Sequence, residues 1–267
     1  MKLSALLLLL ASAVAVHAED APKPLKVLLL TGGCCHDYKA QTGILKKGIE
    51  SRINAEVTEI HVDDGSTKPP LPIYGNAAYG TGYDLIIHDE CAADVNDEAI
   101  VKGVIQPHVD GTPAVCLHCA MHCYRIGDYT KPVGSEGGPG SLWFEVLGLQ
   151  SSGHGSQQPI DLNFIDPASP ITKGATNWTT VNEELYNNVK IFDTAHPLVK
   201  GKQGNQETVV AWTNLYGDKK TRVFCTTIGH NNTTVSDARY LDMIAKGVLW
   251  ATDKIDDEGK PKAGYGR

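Results

Sequence analysis

The sequence predicts an α/β domain built around a mostly parallel central sheet. Short apolar strands alternate with amphipathic helices through the first half of the chain, which is the pattern of parallel β-α-β units. No internal repeat and no linker interrupts the 267 residues, so one domain is expected.

The elements of the first half follow from apolar runs, caps and turn residues. Asp37 is expected to cap the first helix, and Asn96 or Asp97 the second. Residues 62–82 are rich in Pro, Gly and Asp and are predicted to form a loop. The predicted strands cover residues 26–30, 55–61, 83–88 and 113–117, and the predicted helices cover residues 38–51 and 97–109.

The second half is richer in β signals and closes with a helix. A Gly- and Pro-rich loop over residues 127–140 is too long for a simple connection and is expected to serve a site. The charged segment 252–267 is predicted to be a flexible tail. The predicted strands cover residues 160–164, 189–193, 208–213 and 222–228, and the helix covers residues 237–250.

The N-terminus has the composition of a secretory signal. Lys2 precedes an apolar run that ends in Val16-His17-Ala18, so residues 1–18 are predicted to be a signal peptide. The apolar core is too short to span a bilayer, and no second long apolar run follows. We therefore expect an exported protein, periplasmic or extracellular, with no membrane association after cleavage.

The net charge and the cysteine count exclude two classes of protein, nucleic-acid binders and fully disulfide-paired scaffolds. A formal charge of −7 and the lack of any basic run exclude a nucleic-acid partner. The seven cysteines are an odd number, so they cannot all pair within the chain. Most are expected to be buried thiols, and a disulfide involving Cys34 or Cys35 is left open.

Polar residues follow several predicted strands, at the edge where open parallel sheets bind ligands. Burying an imidazole without a partner costs about 1 to 3 kcal/mol, so these side chains must meet water, each other, a substrate or a metal. The sequence therefore predicts one rim at which distant histidines gather. The polar groups are Gly32-Gly33 with His36-Asp37, His88-Asp89-Glu90, His118, and Gly229-His230.

The segment Cys116–Cys123 has three sharper interpretations, each of them weak. Ala120 follows the Cys116 and Cys119 pair where a c-type haem signature needs His. As half of a zinc ribbon, the segment lacks a second cysteine pair. As a redox-active cysteine pair it is disfavoured, because a thiolate at Cys116 would lie within an apolar strand. A sharp turn presenting His118, with His122 one helical turn later, fits better.

Several of these segments occur together in a known family. They are Thr31-Gly32-Gly33 with His36-Asp37, Val115–Ala120, Glu184-Leu185-Tyr186, Val209–Trp212, and Arg222-Val223-Phe224 followed by Gly229-His230. With them, the chain resembles the trehalose-utilisation (ThuA-like) family from about Lys26 to Ala251. The resemblance implies a flavodoxin-like three-layer sandwich related to class I glutamine amidotransferases, with His118 where the amidotransferase nucleophile would stand. It also implies an association with carbohydrates, including trehalose and keto-sugars.

Our first hypothesis is an exported sugar-processing protein with a His/carboxylate pocket. His118 and His230 would act as general bases or metal ligands, and Glu184 as an acid or ligand. Imidazole and carboxylate suit a divalent metal such as zinc, for which His36, His118 and His230 are the candidate ligands. The predicted substrate-binding residues are Gly32, Gly33, His36, Asp37, His122, His154 and Tyr186.

Two other hypotheses use the same edge of the sheet. A sugar-binding module without catalysis would stack its ligand on Tyr38, Trp143 or Tyr186. An amidotransferase-like hydrolase would use a displaced cysteine, Cys116 or Cys119. The remaining histidines at ordinary element ends, His61, His108 and His196, are expected to be structural.

Overall fold

A computed structural model describes residues 22–134 and 136–267. The predicted signal peptide, residues 1–18, lies outside this part of the chain. Within the described residues, no helix has the length and apolar character needed to cross a membrane.

Eleven strands and five α-helices are found in the described residues, together with one 3-10 turn at His118–His122. The strands are β1 (Leu25–Gly33), β2 (Ala55–Val62), β3 (Leu85–Cys91), β4 (Ala114–Leu117), β5 (Leu149–His154), β6 (Gln158–Phe164), β7 (Trp178–Glu183), β8 (Tyr186–Ile191), β9 (Ala195–Gln203), β10 (Gln206–Tyr216) and β11 (Thr221–Thr226). The helices are α1 (Tyr38–Glu50), α2 (Glu98–Val109), α3 (Leu142–Leu147), α4 (Asn232–Val235) and α5 (Ala238–Ala251).

The main sheet has nine strands in the order β2-β1-β3-β4-β11-β10-β9-β6-β7. The five strands from β2 to β11 are parallel, and the four that follow add on in antiparallel fashion. A separate two-stranded sheet pairs β5 with β8. Every residue of β3 and β4 is buried, as expected for central strands covered on both faces.

Two apolar clusters fill the space on the two faces of the sheet. One contains Leu45 and Ile49 of α1 with Ile244 and Val248 of α5. The other contains residues of α2 and α3, among them Val104 and Phe144. This helix–sheet–helix arrangement confirms the predicted α/β three-layer sandwich with its mostly parallel sheet.

The later strands and the C-terminus differ from the sequence expectation. The prediction missed β5, β7 and β9, because these strands carry polar residues at alternate or consecutive positions. It also placed the start of β8 at residue 189, whereas the strand begins at Tyr186. The segment 252–267, predicted to be flexible, is hydrogen-bonded to the domain: the amide of Asn54 donates to the Tyr265 carbonyl, and the amide of Arg267 to the Arg52 carbonyl. These bonds hold the tail along the start of β2.

Candidate functional site

Three histidines converge at the carboxyl edge of the parallel strands. His36 follows β1, His118 follows β4, and His230 follows β11. One ring nitrogen of each lies within 4.8 Å of those of the other two. The His36 ring centroid is 4.6 Å from that of His118 and 4.7 Å from that of His230. The rim predicted from the sequence is therefore a compact cluster.

His118 is held in one orientation by the backbone of the neighbouring strand end. Its Nδ1 lies 2.6 Å from the Thr227 carbonyl oxygen, which can only accept, so Nδ1 carries the proton. Its Nε2 therefore faces the pocket, where it lies 3.5 Å from the Tyr186 hydroxyl. The residue is 1% exposed and has a φ of 40°, which makes the turn after β4 sharp.

His36 presents a buried ring nitrogen toward the pocket. Its Nε2 is 3.1 Å from the Cys119 sulfur, whereas its Nδ1 is buried and has no well-aligned hydrogen-bond partner among the described residues. Burial, reinforced by His118 and His230 nearby, lowers the pKa of His36 to about 2. The ring is therefore neutral near pH 7, with a lone pair available to a ligand.

Glu184, between β7 and β8, contacts three histidines, His118, His154 and His230. Its Oε2 is 3.4 Å from Nε2 of His118 and 3.4 Å from Nε2 of His154, and its Oε1 is 3.2 Å from Nδ1 of His230. Burial alone would raise the pKa of Glu184, but the interactions with His118 and His230 outweigh it and hold that pKa well below its usual range. Glu184 is thus a carboxylate at neutral pH.

His230 lies against Glu184 and Gln157. The Gln157 amide nitrogen is 2.8 Å from Nε2 of His230 and 3.2 Å from Oε1 of Glu184. The Nδ1 of His230 is close to Glu184 but is not aligned for a hydrogen bond, so the interaction between the two side chains is electrostatic. The Glu184 carboxylate raises the pKa of His230.

Glu183, next to Glu184 in the chain, anchors the loop that carries His230. Its Oε2 accepts the backbone amides of Gly229 at 3.2 Å and His230 at 2.8 Å, and its Oε1 accepts that of Asn231 at 2.9 Å. The side chain is fully buried. In the sequence, this segment looks like a loop with two interchangeable glutamates, and no local signal points to the anchoring role.

His122, His154 and Tyr186 line the inner side of the pocket. The rings of His122 and Tyr186 stack with centroids 4.2 Å apart, and Nε2 of His122 is 3.0 Å from the Ser151 hydroxyl. Burial, followed by the charge of Arg125, lowers the pKa of His122 well below its usual value. These residues help to enclose a pocket of about 390 Å³ above the histidine cluster.

Other predicted binding residues have packing or capping contacts. A Cβ at Gly32 would lie 2.5 Å from the Val62 carbonyl oxygen, and one at Gly33 would lie 2.2 Å from that of Cys91. Both positions therefore require glycine because the backbone of a neighbouring strand leaves no room for a Cβ, and a ligand is not needed to explain them. Asp37 caps α1 through the amide of Ala40, and it also accepts from Asn232 beside the pocket mouth.

Two of the three proposed stacking platforms are not available to a ligand. Trp143 is 1% exposed, and its indole donates to the Ala120 carbonyl at 2.8 Å. Tyr38 is 3% exposed and packs against Cys91 and Cys119. Only Tyr186, also largely buried, reaches the pocket wall.

The cysteines separate into one disulfide and five buried thiols. Cys34 and Cys35, adjacent in the chain, are bonded to each other. Burial raises the pKa of Cys116, which lies inside β4. A hydrogen bond with Cys91, followed by burial, raises the pKa of Cys119. Neither Cys116 nor Cys119 is therefore prepared to act as a nucleophile.

The remaining histidines of the described residues have protein partners away from the pocket. The prediction that His88-Asp89-Glu90 follows a strand and faces the rim was wrong, because these residues lie inside β3. Nδ1 of His88 is 2.9 Å from Glu90, and its Nε2 is 3.1 Å from Nε2 of His108, so the His88 ring is satisfied within the core. His61 contacts the Thr31 hydroxyl, and His196 contacts Asp166.

A second groove, of about 480 Å³, lies between α5 and the β6–β7 edge. Its side chains include Arg52, Trp178, Arg239 and Asp242, and none of its residues is His or Cys. The carboxylate of Asp242 is paired with Arg52 at 2.6 Å. The three converging histidines and the Glu184 carboxylate lie at the other pocket.

In metal-free protein, His230 is expected to titrate above pH 6.5, because the Glu184 carboxylate favours its charged form. The pair therefore stabilises the fold fully below the unfolded pKa of histidine, and this contribution is lost as pH rises through the raised value. Glu184→Gln should lower the pKa of His230, because the carboxylate that favours its charged form is then gone. A histidine NMR titration measures the shift, with Glu207→Gln at the distant Lys200 pair as the control. An unchanged His230 pKa in Glu184→Gln would contradict the contact.

Comparison with known proteins identifies the class and then the family. Solved structures of ThuA-like proteins from Parabacteroides merdae and Bacteroides uniformis have TM-scores of 0.62 and 0.61 at 18% and 15% identity. The alignments cover 91% of this chain in both cases, and 97% and 98% of those chains. A Thermoplasma acidophilum protein described as part of a GMP synthase has a TM-score of 0.50 at 9% identity, over 86% of this chain and 96% of that one.

The fold is thus that of the flavodoxin-like, class I glutamine amidotransferase-like proteins. The sequence model of the trehalose-utilisation (ThuA) family matches residues 26–251, and the chain belongs to that family. No curated protein matches the chain.

Proposed function

We propose that this chain is an exported protein that processes sugars or keto-sugar glycosides in the histidine pocket, with a divalent metal such as zinc held by His36, His118 and His230. The observation that carries the proposal is the convergence of the His36, His118 and His230 imidazoles, two of which contact the Glu184 carboxylate, with Nδ1 of His36 buried and without a hydrogen-bond partner among the described residues. An unsatisfied buried nitrogen is costly unless a ligand completes it. Family membership supports carbohydrate as the substrate class.

The donor set fits zinc. Neutral imidazole nitrogens are among its preferred ligands, and a site with three protein ligands leaves a position open to substrate or water. The hydrogen bond from His118 to the Thr227 carbonyl is the outer-shell contact that fixes a ligating tautomer. When bound, zinc would supply a Lewis acid able to polarise a sugar carbonyl or hydroxyl oxygen.

The other side chains have roles that follow from their contacts. The Glu184 carboxylate, 3.4 Å from His154, can accept a hydrogen bond from a sugar hydroxyl and orient it in the pocket. The His154 side chain is 39% exposed, so it can exchange a proton between the pocket and solvent. His122 and Tyr186 form an aromatic wall against which the apolar face of a sugar ring can pack.

The test uses zinc-free and zinc-loaded protein with a panel of trehalose, keto-trehalose and related keto-glycosides. We expect one zinc per chain and zinc-dependent product formation, read by mass spectrometry. Protection against thermal unfolding without product would indicate the sugar-binding module instead. A protein that binds no zinc and that no sugar protects against unfolding would overturn the proposal.

A further inference from the structure

Three sulfur atoms lie together beside the pocket, at the ends of β1 and β3. Cys34 is bonded to Cys35, and the Cys91 sulfur is 3.7 Å from the Cys34 sulfur. The register explains this proximity, because Gly33 pairs with Cys91 across the two parallel strands. All three sulfur atoms lie within 4.8 Å of one another.

We propose that Cys34, Cys35 and Cys91 form a thiol–disulfide exchange site. The Cys91 sulfur attacks the Cys34 sulfur, the Cys34–Cys91 bond forms, and the Cys34–Cys35 bond breaks with its electron pair leaving on Cys35. The proton lost from the Cys91 thiol is balanced by the one that the Cys35 thiolate takes up. The number of disulfides stays the same, so the step needs no oxidant or reductant.

The two bonded forms constrain the chain differently. The bond between adjacent residues holds the turn in which Cys35 has a φ of 84°, a left-handed conformation that residues with a Cβ seldom adopt. The exchanged bond would instead tie the ends of two strands that are already paired, and it would leave Cys35 free to relax.

Exposure favours Cys35 as the leaving group. Cys35 is exposed to solvent, whereas Cys34 is half-buried and Cys91 is 4% exposed. A thiolate released on Cys35 is solvated at once, and an external reagent can reach it. Because His36 follows Cys35 directly, the exchange would also loosen the segment that brings His36 into the pocket.

The experiment traps the exchanged form in folded protein without added reductant. The protein is incubated at mildly alkaline pH with iodoacetamide, then unfolded in acid, and its free thiols are blocked with a second reagent before digestion. Mass spectrometry is expected to find Cys35 carrying the first reagent and peptides linked through Cys34–Cys91. The Cys34–Cys35 form, by contrast, keeps its bond within one peptide.

Matched serine variants identify the attacking thiol. Cys91→Ser should slow labelling of Cys35 by at least about ten-fold, because the thiol that lies 3.7 Å from the Cys34 sulfur is then gone. Cys225→Ser, which removes another buried thiol, should leave labelling unchanged. Wild-type protein in which Cys35 stays unlabelled and no Cys34–Cys91 peptide appears would overturn the proposal, whether or not the pocket binds zinc or sugar.

Discussion

His118→Ala is expected to weaken zinc binding by at least about 100-fold, since one of three ligands is lost and the full ligand set of a zinc-finger peptide is worth about 10 to 16 kcal/mol. Zinc-dependent turnover should fall with it. Competition against a chromophoric chelator measures the affinity, and metal content after dialysis gives the stoichiometry. The reason is geometric: Nδ1 of His118 is fixed on Thr227, so only Nε2 faces the cluster.

Two further variants separate this effect from a folding defect. His118 is buried, and its loss leaves the Thr227 carbonyl unpaired, which costs about 1 to 3 kcal/mol of stability. His36→Ala removes a more exposed ligand and should weaken zinc binding with a smaller loss of stability. His196→Ala is the control, because the His196 side chain is 64% exposed and pairs with Asp166 away from the pocket. Full zinc affinity in both His118→Ala and His36→Ala would remove the proposed metal site.

The sequence was sufficient to predict that the three histidines converge, because the topology of a parallel sheet determines where the residues after its strands lie. Carboxyl ends of parallel strands share one edge of a sheet, so residues after β1, β4 and β11 must come close once those strands are recognised. Their buried, apolar cores make such strands easy to recognise. Periodicity and the edge rule place His36, His118 and His230 correctly, but the same reasoning placed His88 at this edge, whereas it lies inside β3 against His108.

The remaining parts of the site depend on packing that leaves no local signal. Glu183 and Glu184 are adjacent and chemically identical, yet one accepts backbone amides in the core while the other faces the pocket. Which of the two does which is set by the strand face at the end of β7, a strand with the sequence Trp-Thr-Thr-Val-Asn-Glu that the prediction missed. Gln157, which contacts both Glu184 and His230, stands in an irregular segment with no motif.

Glu183→Gln is expected to lower the free energy of unfolding by about 1 to 3 kcal/mol, the cost of leaving a backbone donor unsatisfied. The two carboxylate oxygens accept three amides, and an amide nitrogen cannot accept. In its better orientation the glutamine keeps the contacts to Gly229 and His230 and turns its NH₂ toward the amide of Asn231. The other orientation loses two contacts, so some loss is unavoidable. Urea denaturation measures it.

Glu184→Gln is the matched control, because Glu184 accepts no backbone amide among the described residues and its partners are side chains that water or an amide oxygen can satisfy. Measured above the raised pKa of His230, where that ion pair contributes least, Glu184→Gln should therefore lose less stability in urea than Glu183→Gln, while losing about 10²-fold in turnover as the carboxylate that orients the substrate disappears. Glu183→Gln should instead reduce zinc affinity by about 10- to 100-fold, through the displaced His230 loop. Equal urea midpoints for the two variants would show that Glu183 does not anchor that loop.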